Sequence, residues 1–141
     1  MSQDTLTHHS ALIYLMVLVS AADSDMTDSE LAAIGQSVRD LAVFDGYDEG
    51  MLVAAAEACA EILSVENGLE TVLGLVKANL PDELVDTAYA LSCKVAAVDG
   101  VLSQEELRLL EMVRDTLNID RLTAAAIERG VAALNRRWSQ S

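Results

Sequence analysis

Apolar residues recur every three or four positions along almost the whole chain, the spacing that gathers them on one side of an α-helix. The first such segment, about residues 6–22, is apolar nearly all round, with Leu12, Ile13, Leu15, Met16, Val17 and Val19. A helix of that kind belongs at the centre of a bundle. The second, about 28–43, carries a single inward stripe of Leu31, Ile34, Val38 and Leu41. A third, about 49–64, turns Leu52, Ala55, Cys59 and Ile62 inward; the fourth, about 66–79, turns Leu69, Val72, Leu73 and Val76. Pro81 ends the fourth and opens the fifth, about 82–98, because proline is tolerated only in a first turn. The fifth is again apolar, with Leu84, Val85, Leu91 and Val95. The sixth, about 104–117, presents Leu107, Leu110, Val113 and Leu117, and the seventh covers about 121–137. No segment alternates as a half-buried strand would. The chain is predicted to be all-α, a compact single-domain bundle of about seven helices.

The pattern repeats at an offset of 76 residues. Leu15 and Val19 match Leu91 and Val95, Asp23 matches Asp99, and Ile34 matches Leu110. Helices 1–3 and 5–7 therefore read as two copies of one unit, about 6–64 and 82–138, linked by the helix at about 66–79. A pseudo-twofold with helices 1 and 5 at its centre is expected. Each copy opens its second helix alike. Thr27 with Glu30, and Ser103 with Glu106, form T/S-x-x-E, the capping box that satisfies two orphan amides at a helix start. Met26 with Leu31, and Leu102 with Leu107, occupy the positions of a hydrophobic staple.

Charge changes the picture most. The net charge is −14, and residues 1–70 hold 13 acidic residues against one base, Arg39. Residues 71–141 hold 10 acidic and 8 basic residues. Nucleic acid and an anionic membrane face are poor partners for such a surface, since neither finds a basic patch to meet its phosphates. Cys59 and Cys93 lie inside apolar helical runs without CxxC spacing, which predicts buried thiols in a reducing compartment. The stretch ALIYLMVLVSAA has the length of a signal-peptide core, but no Lys or Arg precedes it, and it falls short of the ~20 apolar residues that span a bilayer. A soluble cytoplasmic protein is expected.

Two readings compete at the acidic turns. The box explains Glu30 and Glu106 without any ligand. Asp23, Asp25 and Asp28 crowd the turn after the first helix, where the helix dipole already disfavours anions. With the last carbonyls of that helix they form a hard-oxygen cluster of the kind that holds Ca²⁺ or Mg²⁺. The candidate ligands are Asp23, Asp25, Asp28 and Glu30, with Asp99 and Glu106 at the second turn, for Ca²⁺, Mg²⁺ or Zn²⁺. The spacing is not an EF-hand, because Asp28 and Ile34 stand where that loop needs Gly and Glu. Val101 gives the second turn one carboxylate fewer. The alternative is a solvated, capped turn.

Weaker candidates are His8 and His9, expected to be exposed and to point to different sides of a helix. Asp48 is expected to cap the third helix within FDGYDEG, beside Asp45 and Glu49. Trp138 with Arg136 and Arg137 reads as a C-terminal anchor or a partner contact, and Tyr14 and Tyr89 as core. There is no Ser/His/Asp or Cys/His set, no glycine-rich phosphate loop, no HExxH and no Glu-x-x-His pair. A non-enzymatic protein is expected.

The segments SAADSDMTDSELAAIGQSV and AAVDGVLSQEELRLLEMV, each turning through AxD into T/S-x-x-E-L, resemble the TerB-like family of tellurite-resistance proteins over about residues 8–137. The resemblance implies a seven-helix cytoplasmic domain of bacterial tellurite and stress resistance with no established enzymatic activity. It implies divalent-cation binding through clustered acidic residues, which fall on Asp23 and Glu30 in one copy and Asp99 and Glu106 in the other. It also implies a protein partner within a membrane-associated stress-response complex, without membrane insertion of the chain. The alternative is a metal-free acidic adaptor domain.

Overall fold

A computed structural model of the protein describes residues 6–23, 26–98 and 102–138. The helices are α1 (His8–Ser20), α2 (Asp28–Asp40), α3 (Leu52–Leu63), α4 (Gly68–Asn79), α5 (Val85–Ala96), α6 (Gln104–Thr116) and α7 (Arg121–Leu134), and no strand occurs among the described residues. Four of the expected helices divide into an α-helix and a short 3₁₀ turn, at Ala21–Asp23, Ala42–Phe44, Glu49–Met51 and Asp82–Leu84. Helix α7 stops at Leu134, short of the expected 137.

The all-round apolar character of α1 has the expected consequence: every residue from Ala11 to Ser20 is buried. It packs against α3, α4 and α5, and touches α2 and α6. Each fully buried Leu, Ile, Val or Met contributes about 1.5–3 kcal/mol, so this helix supplies much of the core. Helix α5 joins it through Ala88, Tyr89, Leu91, Val95 and Ala96, and carries α7 on its other side. Cys59 and Cys93 are both buried. Burial pushes the Cys59 thiol up to about 12 and that of Cys93 to about 11, which makes both poor nucleophiles.

The corner between α3 and α4 is tight. Asn67 takes the left-handed conformation at φ 64°, and a Cβ on Gly68 would lie 2.2 Å from the Ile62 carbonyl oxygen. Only glycine lets the two backbones approach so closely. Helix α6 ends with Asn118 left-handed at φ 57°, its amide on Asp115 O (3.1 Å) and the Ile119 amide on Arg114 O (3.1 Å). That pair of bonds is a Schellman closure.

The inward stripes of α2 and α6 are shifted by one residue from expectation. Leu31 and Leu107 are 45% and 49% exposed, and Glu30 and Glu106 take the buried positions, 5% exposed each. From there the stripes run through Ile34 and Val38, and through Leu110 and Val113. The cause is the capping box. A carboxylate that must reach back to the N-cap amide lies along the inner side of the first turn, which rotates the following leucine outward. No helix among the described residues is long and apolar enough to cross a membrane.

Candidate functional site

The turn into α2 lies between two described elements. The 3₁₀ turn Ala21–Asp23 follows α1 directly, so Asp23 closes that turn. On the far side, the Thr27 amide donates to Glu30 Oε1 at 2.9 Å and the Glu30 amide to Thr27 Oγ1 at 3.1 Å. Asp28 is exposed in the first turn of α2. There the helix dipole favours an acid, so Asp28 needs no ligand to explain it. The surplus carboxylates reduce to Asp23 and Asp25.

The turn into α6 is built from the same parts. The Ser103 amide donates to Glu106 Oε1 at 3.0 Å, and the Glu106 amide to Ser103 Oγ at 3.0 Å. Asp25 and Asp99 lie outside the described residues, as do Gly100 and Val101. The structure thus joins Glu30 to Thr27 and Glu106 to Ser103. Among the described residues it gathers no group of three His, Cys, Asp or Glu side chains that could hold a metal ion. Met26 packs against the core, whereas Leu102 and Leu107 both line a cavity described below.

The histidines depart from expectation. Both are half-buried, and their rings lie 3.9 Å apart instead of pointing to different sides of α1. His9 Nε2 donates to the Val43 carbonyl at 3.0 Å, and its ring stacks on Phe44 and meets Tyr47 edge-on. This clamp ties the 3₁₀ turn Ala42–Phe44 to α1. Burial holds the His9 pKa below its ordinary 6.5, with a smaller push from His8; the Val43 bond works the other way. Beyond it, Gly46 turns the chain at φ 85°, Asp48 accepts from the Gly50 amide at 2.9 Å, and Glu49 pairs with Arg39 at 2.8 Å. Asp48 therefore caps the 3₁₀ turn that leads into α3. Trp138 is not an anchor: it is 90% exposed.

One constellation falls outside the expectations from sequence. Between α5, α6 and α7 lies a cavity of about 380 Å³. In its wall Tyr89, 1% exposed, donates to Glu128 Oε2 at 2.5 Å, and Arg114 stands 3.8 Å from the same oxygen. Burial and the Glu128 bond raise the Tyr89 pKa, so it remains a neutral donor. Tyr89 and Glu128 are 39 residues apart. The available sequence signal is that Glu128 stands four residues after the buried Ala124, a carboxylate near the inward face of α7.

An all-α domain, with seven α-helices among the described residues and a buried glutamate at the start of α2 and of α6, is the class that these features define. The family model described as Tellurite resistance protein TerB matches residues 9–129. The chain belongs to the TerB family and carries a tellurite-resistance-type domain. No curated protein and no solved structure matches it.

Proposed function

We propose that this chain is a non-enzymatic, cytoplasmic protein of bacterial tellurite and stress resistance whose acidic turn between α1 and α2 takes a divalent cation. The observation that carries the cation reading is the density of carboxylates along that turn, Asp23, Asp25 and Asp28 within six positions. A 3₁₀ turn ends at Asp23 and the capping box begins at Thr27, and the sequence places Asp25 between them and Asp28 just after. Oxygen donors of this kind suit Ca²⁺ or Mg²⁺ better than Zn²⁺. The Glu30 carboxylate, buried and held on the Thr27 amide, anchors the α2 side of the turn. The non-enzymatic reading is supported by how the reactive side-chain types are spent. Both thiols are buried, the Thr27 and Ser103 hydroxyls serve caps, and His9 serves the clamp.

Thermal melts with added Ca²⁺, Mg²⁺ or Zn²⁺ against EDTA test the proposal. An ion at 100 times its Kd adds about 2.7 kcal/mol, and Asp23→Asn/Asp25→Asn should abolish that gain. No shift with any of these ions, or an equal shift in the double variant, overturns the cation reading at this turn. The acidic surface would then serve as a metal-free adaptor face for a protein partner.

A further inference from the structure

The apolar stripe of α7 runs past the end of the bundle. Ala124, Ile127, Val131 and Leu134 follow at spacings of three and four, which keep them on one face of α7, and Trp138 stands four residues beyond the end of the helix. Exposure climbs along the series. Ala124 is 1% exposed and Ile127 and Val131 pack on the core, but Leu134 is 87% and Trp138 90% exposed. The flanking charge is basic: Arg136 and Arg137 precede Trp138, and no acidic residue follows Glu128 in a chain of net charge −14.

The cavity between α5, α6 and α7 is the complement of this tail. Its wall is mainly apolar, with Leu102, Leu107, Leu110 and Val131, while Glu111 and Glu128 supply acid beside a single base, Arg114. Leu102 and Leu107 leave apolar surface open to water there, 37% and 49% exposed. At about 380 Å³ the cavity falls in the range of side-chain and ligand pockets, roughly 300–1,000 Å³.

We infer that residues 134–138 of one copy dock in this cavity of a second copy, with Trp138 entering among Leu102, Leu107 and Leu110 while Arg136 and Arg137 meet Glu111 and Glu128. A buried tryptophan beside arginines, ringed by polar groups, is the composition of an interface hot spot. The exchange can be mutual. Val131 and Ala132 line the cavity on the last turns of α7, and Trp138 is tethered to Leu134 by four residues beyond the helix end, a reach of at most about 14 Å. A twofold axis near the end of α7 then lets each copy give one tail and receive one, and the assembly closes at two. This interface is independent of any cation at the α1–α2 turn.

Trp138 is the sole tryptophan, so its emission reads the docking directly. Sedimentation and fluorescence of the full chain, taken up to millimolar concentration, should show a dimer whose formation parallels a blue shift. Trp138→Ala should weaken the dimer at least about 30-fold, as hot-spot truncations do. Arg136→Glu/Arg137→Glu and Glu111→Arg/Glu128→Arg should each weaken it, and mixing these two double variants should restore a heterodimer. Glu111→Arg alone leaves the Tyr89–Glu128 bond in place and should still weaken it, which separates docking from misfolding. A chain that stays monomeric with exposed tryptophan overturns the inference. So does a dimer indifferent to the tail variants, a blue shift independent of concentration, or one that appears only with anionic phospholipid vesicles.

Discussion

The starts of α2 and α6 are two executions of one device in different surroundings. In each, a hydroxyl and a glutamate exchange bonds with the opposite amides at 2.9–3.1 Å, and the glutamate is 5% exposed. Around the first, the neighbours are acidic: Asp23 before it and Asp28 just after. Around the second, Glu105 shares the first turn, but Leu102 and Leu107 open onto the α5–α6–α7 cavity. The shared part is scaffold, and the parts that differ are where function is to be sought. A capping glutamate is therefore poor evidence of a ligand, even in an acidic motif.

The largest expected effect comes from removing the shared part. Glu30→Ala and Glu106→Ala each leave the N-cap amide without its partner and empty a buried position, so each should cost about 1–3 kcal/mol in denaturant unfolding. Glu→Gln at the same positions keeps an acceptor and should cost less. If the two helix starts are independent, the double alanine variant loses the sum to within about 0.5 kcal/mol; a larger loss would mean that they are coupled. Thr27→Ala and Ser103→Ala come next, at about 1 kcal/mol each. Unequal losses would show that the surroundings, acidic or apolar, tune the cap.

The smallest effect separates the halves by pH. Both histidines lie at the start of α1, and burial lowers the His9 pKa. As pH falls, the unfolded chain takes up its proton first, near 6.5. Stability is therefore complete above that value and is lost as pH falls toward the lower folded-state pKa. A melting temperature that drops as pH falls below about 6.5, and drops less in His9→Gln, is the expected result. Equal slopes in the two proteins would remove His9 as the cause.

The seven helices were legible because each keeps a continuous 3.6-residue pattern, and the boxes were legible because T/S-x-x-E is a local chemical requirement. What was not legible depends on distance or on the end of the bundle. Leu31 and Leu107 score as core by hydrophobicity, yet Glu30 and Glu106 outrank them, because the cap dictates the side-chain direction. The Tyr89–Glu128 bond spans 39 residues and leaves no periodic trace. The clamp around His9 joins α1 to a turn 34 residues later. Trp138 keeps the spacing of α7, and nothing in that spacing records that the helix ends at Leu134.

The burial of α1 on every side has a cost during synthesis. Its neighbours α3, α4 and α5 are all made later, the last ending at Ala96. At roughly 5–20 residues per second, the interval from Ser20 to Ala96 is about 4–15 s. For that time the most apolar segment of the protein is outside its own core. The nascent chain then carries an unsheathed greasy helix, open to self-association until α5 arrives.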